Sequence, residues 1–202
     1  ELVTSILVNF DPHLQVESIQ RVNEVSYDSL EQFLDRQAGV RGYGGYVNAK
    51  AMVISRNLNR VVNIKGIDIS KASDVSGLPR SIKLGKLTLD GEHKNGIILG
   101  FNLADRLASV VGDTLAIVSA AGSELAMLQI GQPLIRKFHV VGIYESNNKD
   151  YDAYYAFVGL EAARSLFGLG DKIDGIEIRL NDPDRADRVK QSIQSHFGNR
   201  FR

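Results

Sequence analysis

The spacing of hydrophobic and polar positions along the chain changes period several times, and each change marks an element. His13 to Ile19 alternates apolar and polar residues after the turn-forming pair Asp11-Pro12, which predicts a half-buried strand. Leu30, Phe33 and Leu34 then fall on one stripe, with Ser26 or Asp28 to cap it and Gly39 to stop it, so a helix is expected from about Tyr27 to Ala38. Val40 to Ile54 and Asn59 to Ile67 read as two strands joined by a polar turn over 55–59. From Ser70 to Lys94 the texture is irregular, with one short strand within Ile82 to Leu89. Asn95 to Val118 is the most regular stretch. It runs from an apolar strand through a short helix, on the spacing of Leu99, Leu103 and Leu107 with Ala104 and Ala108, to a Val-Gly-Asp turn and a second strand.

The remaining pattern gives a strand over Lys137 to Tyr144, a polar break at 147–150 and a short strand at Tyr154 to Val158. A helix over Leu160 to Phe167 follows, stopped by Gly168. Gly175 to Leu180 alternates with Ile176, Ile178 and Leu180 on one face, and a closing helix opens with Asp182 as cap and Pro183 at its first position. Two β-α-β units thus bracket a strand-rich middle. The expected class is α+β, with a discontinuous domain made of 1–68 and 151–202 and an inserted β-rich subdomain over 69–150.

Length and composition change this picture little but exclude several functions. A chain of 202 residues buries a core without staples. Its 24 basic and 24 acidic residues cancel, which argues against a non-specific nucleic-acid binder. The absence of cysteine removes thiol nucleophiles, Cys-ligated zinc and disulfides together. No apolar run reaches membrane-spanning length, and no signal peptide is visible at the start; the sequence reads as a domain excised from something longer.

Candidate chemistry is sparse. His13, His93, His139 and His196 fall in separate elements, none at metal-ligand spacing from another. The Arg41-Gly-Tyr-Gly-Gly-Tyr46 stretch lacks a phosphate-loop spacing and opens a strand, so a bulged strand start is expected. Asp150 and Asp152 lack the rest of a calcium loop and read as a solvated turn. No nucleophile elbow is present, and the expectation is a non-catalytic domain without a cofactor. The loop from Ala120 to Pro133 stands out because Leu125, Met127, Leu128, Ile130 and then Leu134 sit beside Gly122, Gly131 and Pro133. It reads either as a plain hairpin lying on the core or as an exposed apolar tip offered to another protein or to acyl chains.

Five segments in order carry a resemblance: Ile6 to Val16, Val61 to Asp68, Gly96 to Leu107 with Val111-Gly-Asp-Thr114, Phe138 to Ser146, and Gly175 to Pro183. Together they resemble the large extracytoplasmic domain of the lipoprotein-releasing ABC-transporter permeases LolC and LolE, within the wider MacB-like superfamily. The resemblance implies a "Porter"-type α+β domain with an inserted "Sabre"-type subdomain, periplasmic in location and belonging to an inner-membrane permease. It implies as partners a lipoprotein substrate, a LolA-like carrier, a LolD-like cytoplasmic ATPase and a second permease subunit. In LolC a hook hairpin recruits the carrier, and Pro133, Arg136 and Phe138 match the residues that follow it. The corresponding contact set here is Leu125, Met127, Leu128, Ile130, Gln132, Pro133, Leu134 and Arg136. The alternatives are a MacB- or FtsX-type export or mechanotransmission domain, and a free-standing small-ligand or enzyme domain.

Overall fold

The computed structural model describes residues 10–89, 95–119, 135–198 and 201. The first of its segments opens with β1 (Leu14–Asn23), followed by a 3₁₀ turn (Glu24–Tyr27), α1 (Asp28–Asp35), β2 (Val40–Ser55) and β3 (Leu58–Ile67). Next come two single-turn helices, α2 (Ala72–Val75) and α3 (Leu78–Ser81), and then β4 (Ile82–Gly85). The middle of the chain holds β5 (Gly96–Gly100), α4 (Phe101–Arg106), β6 (Thr114–Ser119) and β7 (Ile135–Tyr144). The last part holds α5 (Lys149–Tyr154), β8 (Tyr155–Gly159), α6 (Leu160–Phe167), β9 (Lys172–Leu180), a 3₁₀ turn (Pro183–Arg185) and α7 (Ala186–Phe197).

The described strands form one mixed sheet in the order β1-β9-β2-β3-β8-β5-β7-β4, and β6 pairs with both β2 and β7. That double pairing closes a ring: β2, β3, β8, β5, β7 and β6 return to β2. β2 makes this possible by its length, since its first half pairs with β9 and Ala51 to Ile54, near its end, with β6. The ring interior is filled by side chains, among them Val53, Ile64, Ile97, Leu99, Ile117, Phe138 and Val158, all buried. Leu30 and Leu34 of α1, Leu166 of α6 and Val189 and Ile193 of α7 continue the same core. Burying each such side chain contributes about 1.5–3 kcal/mol.

The outer wall behaves differently along its length. One end is covered by a second, aromatic-rich core in which Phe10, Leu78 and Leu89 pack on Ile67, Ile98, Tyr144 and Phe157. The far end is open to solvent.

Local sequence explains most boundaries. Gly168, in the left-handed region at φ 64°, ends α6. Gly66 lies against α6 so closely that an added Cβ would stand 2.3 Å from the Ala163 Cβ, so glycine and alanine together set the helix-to-sheet distance. In the Val-Gly-Asp turn the Asp113 carboxylate accepts the Val110 N–H at 3.0 Å, while Gly112 N–H and the Asp113 carbonyl dock the turn onto Val140. The Arg41 region is a bulged strand start as expected, with the register slipping between Val40 and Gly42.

Two expectations are corrected. The stretch from Ser70 to the start of β4 is not irregular: it makes α2 and α3, both too short for a periodic signal, with the packing of Ala72, Val75 and Leu78 deciding them. The 147–152 segment is no solvated turn. Asn148 caps α5 by accepting the Asp150 and Tyr151 N–H groups, and Asp152 is buried, accepting from Ser146 N at 3.0 Å and Ser146 Oγ at 2.6 Å.

Candidate functional site

The expected contact loop lies mostly outside the described residues: Leu125, Met127, Leu128, Ile130, Gln132, Pro133 and Leu134 all do, as does His93. What is described is its root. β6 and β7 pair antiparallel from Thr114–His139 to Val118–Ile135, so residues 120–134 connect the two arms of one hairpin directly beyond the Val118–Ile135 rung. Arg136, the described member of the expected contact set, is half-buried on β7 opposite Ile117. Its Nε has no hydrogen-bond partner among the described residues.

The sheet register carries the hairpin root into a wider surface. Met52 pairs with Val61 on one side and with Val118 on the other, and Val118 pairs with Ile135. Directly paired residues point to the same face, so Val61, Met52, Val118 and Ile135 form one apolar row across four strands, about 14 Å long at the usual strand spacing. Val61 and Ile135 are 60% and 59% exposed, unusual for aliphatic residues in register on a wall. Lys50 and Lys137 flank the row on the same face, and none of the neighbouring positions on that face of the four strands is acidic.

Further along the outer wall, toward β1 and β9, lies a buried polar network that the sequence pattern did not reveal. Lys65 Nζ meets Glu177 Oε1 at 2.7 Å, with both side chains less than one-tenth exposed. Gln15 Nε2 donates to the same oxygen at 2.8 Å. The ammonium also stands 5.9 Å from the Tyr46 ring centroid and 6.0 Å from that of Phe157. Tyr151 donates to Asp11 Oδ1 at 2.9 Å, Arg179 Nη1 reaches the Asp11 carbonyl at 3.4 Å, and Tyr46 donates to Glu17. Burial opposes the charge on Lys65, but Glu177 and Asp11 more than offset it and hold the amine above its ordinary range. Burial pushes the Asp11 carboxyl up despite the pull of Lys65 and the Tyr151 hydrogen bond. Burial, with Arg80 and Arg41 nearby, pushes the Arg179 guanidinium down.

These residues come from β1, β2, β3, α5, β8, β9 and the segment entering β1. Glu177 and Arg179 alternate with Ile176 and Ile178, and Lys65 with Ile64, so by period alone they are the solvent face of ordinary strands. They are buried because the Phe10 segment and α2 cover that face. The available signal was the charged triad itself at polar positions of otherwise apolar strands.

The three described histidines stay apart. His139 is half-buried with Nδ1 3.0 Å from Thr114 Oγ1, His13 Nδ1 accepts the Leu180 N–H, and His196 stacks on Phe33. Among the described residues no group of three His, Cys, Asp or Glu is placed to hold a metal, and no helix is long and apolar enough to cross a membrane.

Comparison with known proteins gives these features a family. LolC of Neisseria meningitidis serogroup B, named a lipoprotein-releasing system transmembrane protein, is 26% identical over 189 residues, covering 93% of this chain and 44% of the relative. LolE of Haemophilus influenzae is 26% identical over 192 residues, covering 92% of this chain and 45% of the relative. The chain therefore spans less than half the length of either. Two solved structures share the fold at 13% identity. One is the extracellular domain of the noncanonical ABC-type transporter YknZ from Gram-positive bacteria, with a TM-score of 0.61 over 94% of this chain and 97% of that one. The other is the periplasmic region of MacB from Actinobacillus actinomycetemcomitans, with a TM-score of 0.59 over 93% and 86%. The family model of the MacB-like periplasmic core domain matches residues 4–196. The chain thus belongs to the MacB-like periplasmic core domain family.

Proposed function

We propose that this domain serves a permease that extracts lipoproteins from the inner membrane and passes them to a soluble LolA-like carrier, with the 120–134 hairpin as the carrier's contact. The domain acts without catalysis of its own; a LolD-like ATPase supplies the energy, and a second permease subunit completes the transporter. The observation that carries the reading is the Val118–Ile135 rung, from which a fifteen-residue connection rich in apolar residues joins the paired strands β6 and β7. Likeness to LolC and LolE over nine-tenths of the chain supports the choice of cargo. In this reading Leu125, Met127, Leu128 and Ile130 supply adaptable apolar contacts. Gln132, Pro133, Leu134 and Arg136 complete the carrier contact at the end of the segment that precedes and enters β7. Segments 1–68 and 151–202 are the Porter-type part and 69–150 the Sabre-type insertion, the two sharing the closed ring with three strands each.

A pull-down of a LolA-like carrier on the immobilised domain tests this. Retention by the parent, lost with Leu128→Glu and weakened with Pro133→Ala, is the expected result. No retention, or retention untouched by both substitutions, overturns the carrier assignment in favour of a LolE-like engagement of substrate or a MacB- or FtsX-type role.

A further inference from the structure

At the edge of the sheet, β1 and α7 stand apart around a cleft of about 150 Å³ in which the hairpin takes no part. Strand alternation turns Leu14 and Val16 toward α7. It turns Gln15 to the other face, where its amide donates to Glu177 at 2.8 Å. Ile193 of α7 and the Phe201 ring complete the apolar interior. Val16, Ile193 and Phe201 are buried and Leu14 is half-buried. The Phe201 ring is held in place from behind, stacked on Tyr27 with centroids 5.4 Å and planes 18° apart, and edge-on to Phe197 at 5.4 Å. This wall belongs to the main core, so the cleft is a shaped feature of the fold.

The polar part of the lining is one-sided, and it sets the class of ligand. Lys190 and Gln194, one helical turn apart on α7, both line the cleft and are exposed, which places them at its rim. Neither side chain has a hydrogen-bond or ion-pair partner among the described residues. No carboxylate of the described residues lines the cleft: Asp187, three positions before Lys190, stays outside it, and Glu17 lies on the Gln15 face, where it accepts from the Tyr46 hydroxyl. An ammonium and an amide N–H at the mouth of an apolar space suit a carboxylate carried on an apolar chain. A cavity of this size takes a group of about six carbons. We propose that the cleft between β1 and α7 binds an alkyl carboxylate, with its chain among Leu14, Val16, Ile193 and Phe201 and its head group between Lys190 and Gln194.

The experiment is an NMR titration of the ¹³C-methyl-labelled chain with straight-chain carboxylates from acetate to octanoate. 1-Hexanol serves as the uncharged counterpart of hexanoate, and N-acetyl-leucine stands for the carboxyl end of a polypeptide. The expected result is saturable shifts at the Leu14, Val16 and Ile193 methyls, with an affinity that rises about fourfold per added methylene. The rise should level off at about six carbons, where the cleft is full. 1-Hexanol should bind about tenfold more weakly than hexanoate, as a neutral hydrogen bond replaces a charge-assisted one. Lys190→Glu should bring hexanoate to the level of 1-hexanol or below and leave 1-hexanol unchanged, and that unchanged arm shows that the fold is kept. Leu14→Trp, which fills the cleft from a half-exposed position, should abolish binding of both. The proposal is overturned if no probe saturates, if 1-hexanol equals hexanoate, if acetate equals hexanoate, or if Lys190→Glu leaves hexanoate unmoved. N-acetyl-leucine binding more tightly than hexanoate overturns the alkyl chain and assigns the cleft to a polypeptide terminus. None of these outcomes depends on the carrier pull-down.

Discussion

Replacing Glu177 by Gln isolates the energetics of the buried pair. The amide keeps the size of the carboxylate and a carbonyl oxygen for Gln15 Nε2, which donates to Glu177 at 2.8 Å. The Lys65 ammonium, 7% exposed, loses the partner 2.7 Å away and keeps only Asp11 as a nearby carboxylate. Removing one charge of a buried pair costs about 3–5 kcal/mol, because the other is left desolvated and uncompensated. The presence of Asp11 places the cost near the lower end, at about 3 kcal/mol. In a domain of this length that lowers Tm by roughly 6–12 °C. The double substitution Lys65→Met with Glu177→Leu removes both charges and fills the volume with apolar atoms, and should recover most of the loss or exceed the parent. Urea unfolding followed by circular dichroism measures both, with an unchanged slope against denaturant as the check that the unfolded state is not altered. A single-substitution cost below about 1 kcal/mol, or a double variant as unstable as the sum of its two singles, would refute the reasoning, since either outcome means that the pair is hydrated rather than buried.

Gly66→Ala should destabilise by about 1–3 kcal/mol through overpacking, because the new Cβ would stand 2.3 Å from Ala163; adding Ala163→Gly should return most of it, a compensation read in the same unfolding assay. Asp11 gives a pH signature: burial raises its folded pKa above the unfolded value, so its contribution to stability is greatest below the unfolded pKa and is lost as pH rises through the folded one. Parent stability minus that of Asp11→Asn should therefore decline as pH rises across the acid range, and a difference that rises with pH would reverse the assigned direction.

Much of the fold was legible because local rules and tertiary packing agree. The alternation of Ile176, Ile178 and Leu180, the apolar stripe of Leu30 and Leu34, the Gly168 stop and the Val-Gly-Asp turn each match the observed element within a few residues. Where they disagreed, the element was a single turn or its stability came from elsewhere. α2 and α3 are too short for any period to register, and α5 is set by the Asn148 cap and by burial of Asp152 against Ser146. The candidate site divides the same way. The apolar composition of 120–134 and its flanking strands was readable, and the structure adds that Val118 and Ile135 are directly paired at its root. The exposed row from Val61 to Ile135 was not readable, because it exists only when four strands from distant parts of the chain come into register.

By itself, then, the sequence determined most of the strands and the longer helices, which face of each is apolar, and that the chain carries no thiol chemistry and no net charge. Periodicity and composition are local quantities, and a chain writes them residue by residue. The tertiary structure alone decided which of the polar faces meet water. Lys65 and Glu177 occupy polar positions on their strands yet are buried together, while the apolar side chains of Val61 and Ile135 are left outside. The difference arises because β6 closes the ring onto β2 and the segment from Phe10 folds across one end of its outer wall. That choice rests on contacts between residues from 62 positions apart, as in Ile54 with Ala116, to 147 apart, as in Phe10 with Phe157, which no local pattern records.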